Sequence, residues 1–168
     1  MSTTVKNHIN IDSFMSNLQA LQDGHLVAKI GILEKDGSRK KQKFKRVGKQ
    51  NIKVTSDSIT LAEVAMFNEF GMGNNPERSF IRSTYDENIK SWMSDFDNLL
   101  YAAMMNDRSF EGVLHTIADT IMSDIKKTIV RISTTQDNAK STQAAKGFNS
   151  PLIATRELIR SINYEVIE

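Results

Sequence analysis

Apolar residues recur at helical spacing over residues 10–22, where Ile11, Phe14, Met15, Leu18 and Leu21 share one side of a helix. Asp12 or Ser13 is placed to cap its start, and Gly24 follows its end. The rhythm then changes to period two. From His25 to Leu33, Leu26, Ala28, Ile30 and Ile32 alternate onto one face, which predicts a strand. Val27 and Leu33 make the opposite face partly apolar as well, so the strand is expected to be covered on both sides.

Residues 35–58 break this pattern. Asp36-Gly37 opens the segment, and the alternations Lys43-Phe44-Lys45-Arg46-Val47 and Ile52-Lys53-Val54-Thr55 can pair around Gly48 as a β-hairpin or basic loop insertion. Thr60-Leu61-Ala62-Glu63 has the form of a capping box, in which the Thr60 hydroxyl accepts from the Glu63 amide and the Glu63 carboxylate reaches back. The short helix it starts is expected to stop at Gly71.

Ser83-Thr84-Tyr85-Asp86 predicts the start of a long helix to about Met105, with Tyr85, Ile89, Trp92, Met93, Phe96, Leu99, Leu100 and Ala103 as its apolar stripe. A second helix, from about Phe110 to Ile132, carries Phe110, Val113, Leu114, Ile117, Ile121, Ile125 and Ile129 on one face. Only Asn106-Asp107-Arg108-Ser109 separates the two, so they form an antiparallel hairpin. Residues 133–150 are polar and nearly free of apolar side chains, the composition of a flexible loop. After Pro151, one or two helical turns at 155–160 lead to an alternating strand at 161–167, which is expected to pair with the strand at 25–33. The fold class is therefore α+β. A small, mostly antiparallel sheet packs against a long helical hairpin, and residues 1–168 make one domain.

Composition adds little until charge is mapped. Apolar residues make up 39% and charged residues 25%, ordinary values for a globular protein. No apolar run approaches a membrane span, and the N-terminus lacks a secretory pattern, so synthesis in the cytoplasm is expected. The net charge is only +2, yet Lys35, Arg39, Lys40, Lys41, Lys43, Lys45, Arg46 and Lys49 lie close together against a single Asp36. Such a field draws phosphates or an acidic protein surface. A solvated loop kept soluble by its lysines is the plain alternative.

Candidate chemistry is thin. The chain has no cysteine, which excludes disulfides, thiol nucleophiles and thiolate metal sites. His8, His25 and His115 fall in separate elements without zinc-motif spacing. Gly71-Met72-Gly73 lacks the third glycine of a dinucleotide fingerprint and follows a helix, and no nucleophile elbow or phosphate loop occurs. Glu63 is accounted for by the capping box. No catalytic residue, metal ligand or cofactor is expected. Apart from Phe44, no aromatic residue interleaves with the basic cluster, so contact with DNA would run through phosphates and without sequence preference.

One stretch carries a family resemblance. Residues 62–82, AEVAMFNEFGMGNNPERSFIR, hold Asn68-Glu69-Phe70-Gly71, a short turn, then Pro76, Arg78, Phe80, Ile81 and Arg82. This resembles the central motif of phage tail-completion and neck proteins, the minor-tail-protein-Z-like and virion-morphogenesis families. The order of elements agrees over most of the chain, including a strand containing Gly31 before the motif and two long helices after it. Members commonly carry Asp-Thr-Gly-x-Leu near the C-terminus, where this chain reads Ala154-Thr155-Arg156-Glu157-Leu158. The missing glycine predicts a different turn there.

The resemblance implies a non-enzymatic structural virion protein of a tailed phage. It would form a homo-oligomeric ring, a hexamer or dodecamer, that completes or terminates the tail at the head-tail junction around the DNA channel. Its partners would be further copies of itself and other neck and tail-tube proteins, with no membrane involved. Asn68, Glu69, Phe70, Gly71, Pro76, Arg78, Phe80 and Arg82 would shape a subunit contact, with Glu69 paired to Arg78 or Arg82. A corner needed only for folding is the plain alternative. Arg39, Lys40, Lys41, Lys43, Lys45, Arg46 and Lys49 would meet DNA or a partner. A free, non-specific DNA-binding accessory protein using the basic 35–50 loop is the rival reading.

Overall fold

The computed structural model describes residues 11–22, 26–47, 50–73, 75–106, 108–138, 140, 143, 149, 151–152 and 156–167. In chain order the elements are α1 (Ile11–Gln22), β1 (Val27–Ile32), a single turn α2 (Glu34–Gly37), β2 (Lys40–Val47) and β3 (Gln50–Thr60). They continue with α3 (Leu61–Phe70), α4 (Arg82–Met105), α5 (Phe110–Thr135), α6 (Glu157–Ser161) and β4 (Ile162–Ile167). His8, His25, Gly24, Gly48, Lys49 and most of 139–150 lie outside the described residues.

The α+β expectation holds. β1 and β4 pair antiparallel, with Val27 opposite Ile167 and Ile32 opposite Ile162. Ala28, Ile30 and Ile32 face inward, and both strands lie on α5. On the other face of β1, Gly31 is buried and Leu33 half-buried, and cover is missing at the end where Val27 lies. Val27 is exposed, so the expectation of cover on both sides holds for only part of the strand. α4 and α5 form the antiparallel hairpin. Trp92 Nε1 donates to Asp124 Oδ2 at 3.0 Å, and Arg131 reaches Glu87 at 2.8 Å, so residues early in α4 meet residues late in α5.

Two apolar clusters fill the interior. Phe80, Ile125, Ile129, Ile132, Leu158, Ile162 and Ala65 join the corner, α5, α6 and β4. Ala103, Phe110 and Val113, with Leu26, Phe96 and Leu99 against them, close the tip of the helical hairpin. α5 runs to Thr135, beyond the expected end, because Ile132 and Ser133 are still buried. Tyr85 and Met93, expected in the apolar stripe of α4, are exposed instead. Only part of the helix circumference faces α5, and Trp92 and Ala103 occupy it.

The basic segment is a β-hairpin longer than its β-forming residues predict. β2 and β3 pair with Lys43 opposite Val54, Lys45 opposite Ile52 and Phe44 opposite Lys53. Beyond each other, the strands pack mainly on α3. Near the C-terminus, Arg156 takes φ 58° and ψ 11°, the left-handed conformation that glycine favours. The turn expected to differ for want of a glycine thus has an arginine in a glycine's conformation.

Candidate functional site

The motif residues meet at the corner between α3 and α4. The capping box forms as predicted: Glu63 N donates to Thr60 Oγ1 at 3.3 Å, and Thr60 N donates to Glu63 Oε2 at 2.7 Å. The Thr60 amide, and the Thr60 hydroxyl that also donates to Glu63 Oε2 at 2.8 Å, hold the Glu63 carboxyl below its ordinary value, against a small opposing effect of burial. α3 ends at Gly71, with φ 63°. A β-carbon there would sit 2.9 Å from the Glu77 amide nitrogen, because the chain doubles back across the helix end. The return is fixed where Arg78 N donates to Asn68 O at 2.7 Å. Asn68 Nδ2 in turn donates to Val64 O. Pro76 lies exposed in the intervening loop, and Phe80 is wholly buried in the first cluster.

Glu69 organises the start of α4. It is 5% exposed, yet its carboxylate accepts from three successive backbone amides, Phe80 N at 2.8 Å, Ile81 N at 3.0 Å and Arg82 N at 2.8 Å. The Ser79 hydroxyl donates at 2.9 Å and Arg82 Nε at 3.3 Å. The Arg82 amide is an unpaired donor of the first turn of α4 and the other two lie just before it, so a carboxylate from α3 caps and charge-complements a helix elsewhere in the chain. Burial pushes the Glu69 carboxyl up, but its hydrogen bonds outweigh that and hold it below its ordinary value. α4 consequently starts at Arg82 and not at the Ser83-Thr84 signal. Ser83 and Thr84 turn their hydroxyls back to the carbonyls of Ser79 and Phe80. With its lone pairs committed to these donors, Glu69 has no free position from which to act as a general base.

The charge partner of Glu69 is Arg82, which also donates to Glu69 O at 2.5 Å and to Glu77 Oε1 at 2.7 Å. Its guanidinium lies 4.7 Å over the Phe70 ring. Arg78 points elsewhere. Only 5% exposed, it donates through Nη2 to Asp137 O at 2.9 Å and so ties the corner to the end of α5. Burial pulls its guanidinium below the usual arginine value. Arg78 Nε and Asn138 Nδ2 are buried without hydrogen-bond partners among the described residues.

The motif thus divides by exposure. Glu69, Arg78 and Phe80 are interior fasteners, while Phe70, 56% exposed, and Pro76 and Arg82 remain at the surface. Met66, Met72 and Ile81 stand exposed in the same corner. Ser79, Glu77 and Asp137 complete the network. They have no sequence signature, because their roles depend on contacts between distant elements.

Of the basic residues, Arg39 pairs with Asp36 at 2.7 Å, Lys40, Lys41, Lys43, Lys45 and Arg46 fall within β2, and Lys49 lies outside the described residues. His115 is exposed on α5, 3.3 Å from the Tyr164 hydroxyl. No helix among the described residues is long and apolar enough to cross a membrane. Comparison with protein-family models, curated proteins and solved structures finds no match to this chain.

Proposed function

We propose that the chain is a non-enzymatic virion subunit of a tailed phage. It forms a ring at the head-tail junction that completes or terminates the tail around the DNA channel, beside other neck and tail-tube proteins. What supports this reading is the corner on which the sequence resemblance rests. Glu69, Arg78 and Phe80 fasten two helices rigidly, and the same motif leaves Phe70, Met72 and Ile81 exposed beside Arg82. Apolar groups held at the surface by a hydrogen-bonded frame suit a subunit contact. Copies meeting head to tail close into a hexamer or dodecamer if the rotation fits. The basic hairpin then faces the lumen or a neighbour, where contacts through phosphate alone let DNA slide.

A second reading, a free and non-specific DNA-binding accessory protein, is favoured by one observation: β2 alone carries Lys40, Lys41, Lys43, Lys45 and Arg46. Native mass spectrometry with negative-stain imaging separates the two. The virion reading expects a closed ring with a central hole. A monomer at every concentration that binds duplex DNA in a salt-sensitive way would overturn it in favour of the second. In an infecting phage, replacing Lys40, Lys41, Lys43 and Lys45 by Gln is expected to impair joining or DNA retention, and normal infectivity would remove the lumen role.

A further inference from the structure

We infer, building on the ring reading, that the outer face of α4 is the seat for the β2–β3 hairpin of a second copy of this chain. Asp86, Lys90, Met93, Asp97 and Tyr101 recur at intervals of three or four residues and so form one ridge along α4. Met93 is 57% and Tyr101 61% exposed. Asp86, Asp97 and the neighbouring Asp95 are exposed and make no ion pair among the described residues. The ridge stays open although the chain's own hairpin is present, because that hairpin is rooted on α3.

The hairpin has the complementary character. Its register sets a cation across from an apolar residue at successive steps, Lys43 with Val54, Phe44 with Lys53 and Lys45 with Ile52. On the ridge, Met93 lies between Asp86 and Asp97 with Tyr101 beyond, and Lys90 is its one cation. A two-stranded ribbon alone is marginal in water and is stabilised by a surface to lie on. Residues 40–60 hold seven basic residues against one aspartate, so the remainder of the chain carries −4 within the total of +2. The lengths agree: the ridge from Asp86 to Tyr101 rises ~22 Å, and β2 extends ~27 Å. Hairpin and ridge are different surfaces of one chain, so each copy can give one and receive the other, the head-to-tail contact that closes rings. Duplex DNA would match the cations of this segment but offers no apolar surface for a sequence that also carries Phe44, Ile52 and Val54.

The absence of cysteine from the chain makes a direct test available. Full-length chains carrying Lys45→Cys are mixed with chains carrying Met93→Cys under mild oxidation, with Ser123→Cys on α5 as the control position. The expected result is a mixed disulfide between Lys45→Cys and Met93→Cys chains in large excess over the control. Asp97→Lys and Lys45→Glu are each expected to dissolve the oligomer, and the double variant to restore it. Rings that form with crosslinking no better than the control, and that ignore both charge changes, would overturn this contact while leaving the ring reading intact. Monomers that bind duplex DNA and never crosslink would remove both. A mixed disulfide without any closed ring would keep the contact and remove the ring.

Discussion

At the scale of single residues, two side chains stand in conflict with their surroundings, and they resolve it differently. Glu69 is a carboxylate inside the protein, and three amides, a hydroxyl and Arg82 stabilise its charge. Glu69→Gln keeps the shape but turns an NH2 group toward backbone donors, so a loss of about 2–4 kcal/mol in urea unfolding is expected. The pH dependence has a definite sign. The folded-state pKa lies below the ordinary 4.5, so the contribution is full above that value and disappears as pH falls through the lowered folded value. Glu63 and Asp124 are shifted the same way, and the wild-type loss in acid is therefore shared among them. Subtracting the E69Q stability profile isolates Glu69: the variant should be flatter below about pH 4.5. Parallel profiles would show that its charge contributes nothing. Arg156 is the opposite case, a non-glycine residue at φ 58°. The left-handed region costs an L-residue about 1–2 kcal/mol, part of which glycine returns through its freer unfolded chain. Arg156→Gly should raise the melting temperature by about 1–3 °C, and a fall would mean that the arginine side chain contributes more than its backbone costs.

At the scale of elements, the two helices flanking the corner are started by different means. α3 is capped from within four residues of sequence, by Thr60 and Glu63, so its start is legible in the sequence. Thr60→Ala should cost about 1 kcal/mol, with faster amide exchange at Leu61, Ala62 and Glu63 while α5 is unaffected. Exchange that rises equally throughout would instead make this cap a global fastener. α4 is capped by Glu69, across a reversed chain, and nothing local marks that role; the nearer Ser83-Thr84 signal misplaces the start. The helical hairpin is legible because its stripe repeats over many turns, yet Tyr85 and Met93 belong to that stripe by spacing and not by burial. Spacing reports which side of a helix is apolar, while burial depends on how wide the partner is. The extent of β3 escapes for a related reason. Ser56, Asp57 and Ser58 have weak strand preference, and they fall in the irregular stretch between the Gln42–Thr55 and Lys40–Thr60 pairs, which hold the strand on either side of them.

At the scale of the whole molecule, the chain separates into a packed body and an appendage. Both apolar clusters are built by the corner, α3 to α6 and the β1–β4 sheet, with Leu26 joining the second. The hairpin touches this body mainly through α3. Its two ends are already side by side: Lys40 pairs with Thr60, and Leu61 N donates to Arg39 O at 2.8 Å. Replacing residues 41–59 by Asn-Gly should therefore join strand ends that the body already holds together, since such a pair closes a two-residue turn. Shortening the loop lowers its closure entropy cost only slightly, so the trimmed chain should melt within a few degrees of the parent and keep its helical circular dichroism. Assembly should be lost, because the surface that would seat on a neighbour is gone. A trimmed chain that fails to fold would make the hairpin part of the body. One that folds and still forms rings would place the joint elsewhere, and the exposed groups around Phe70 would then be the surface to alter.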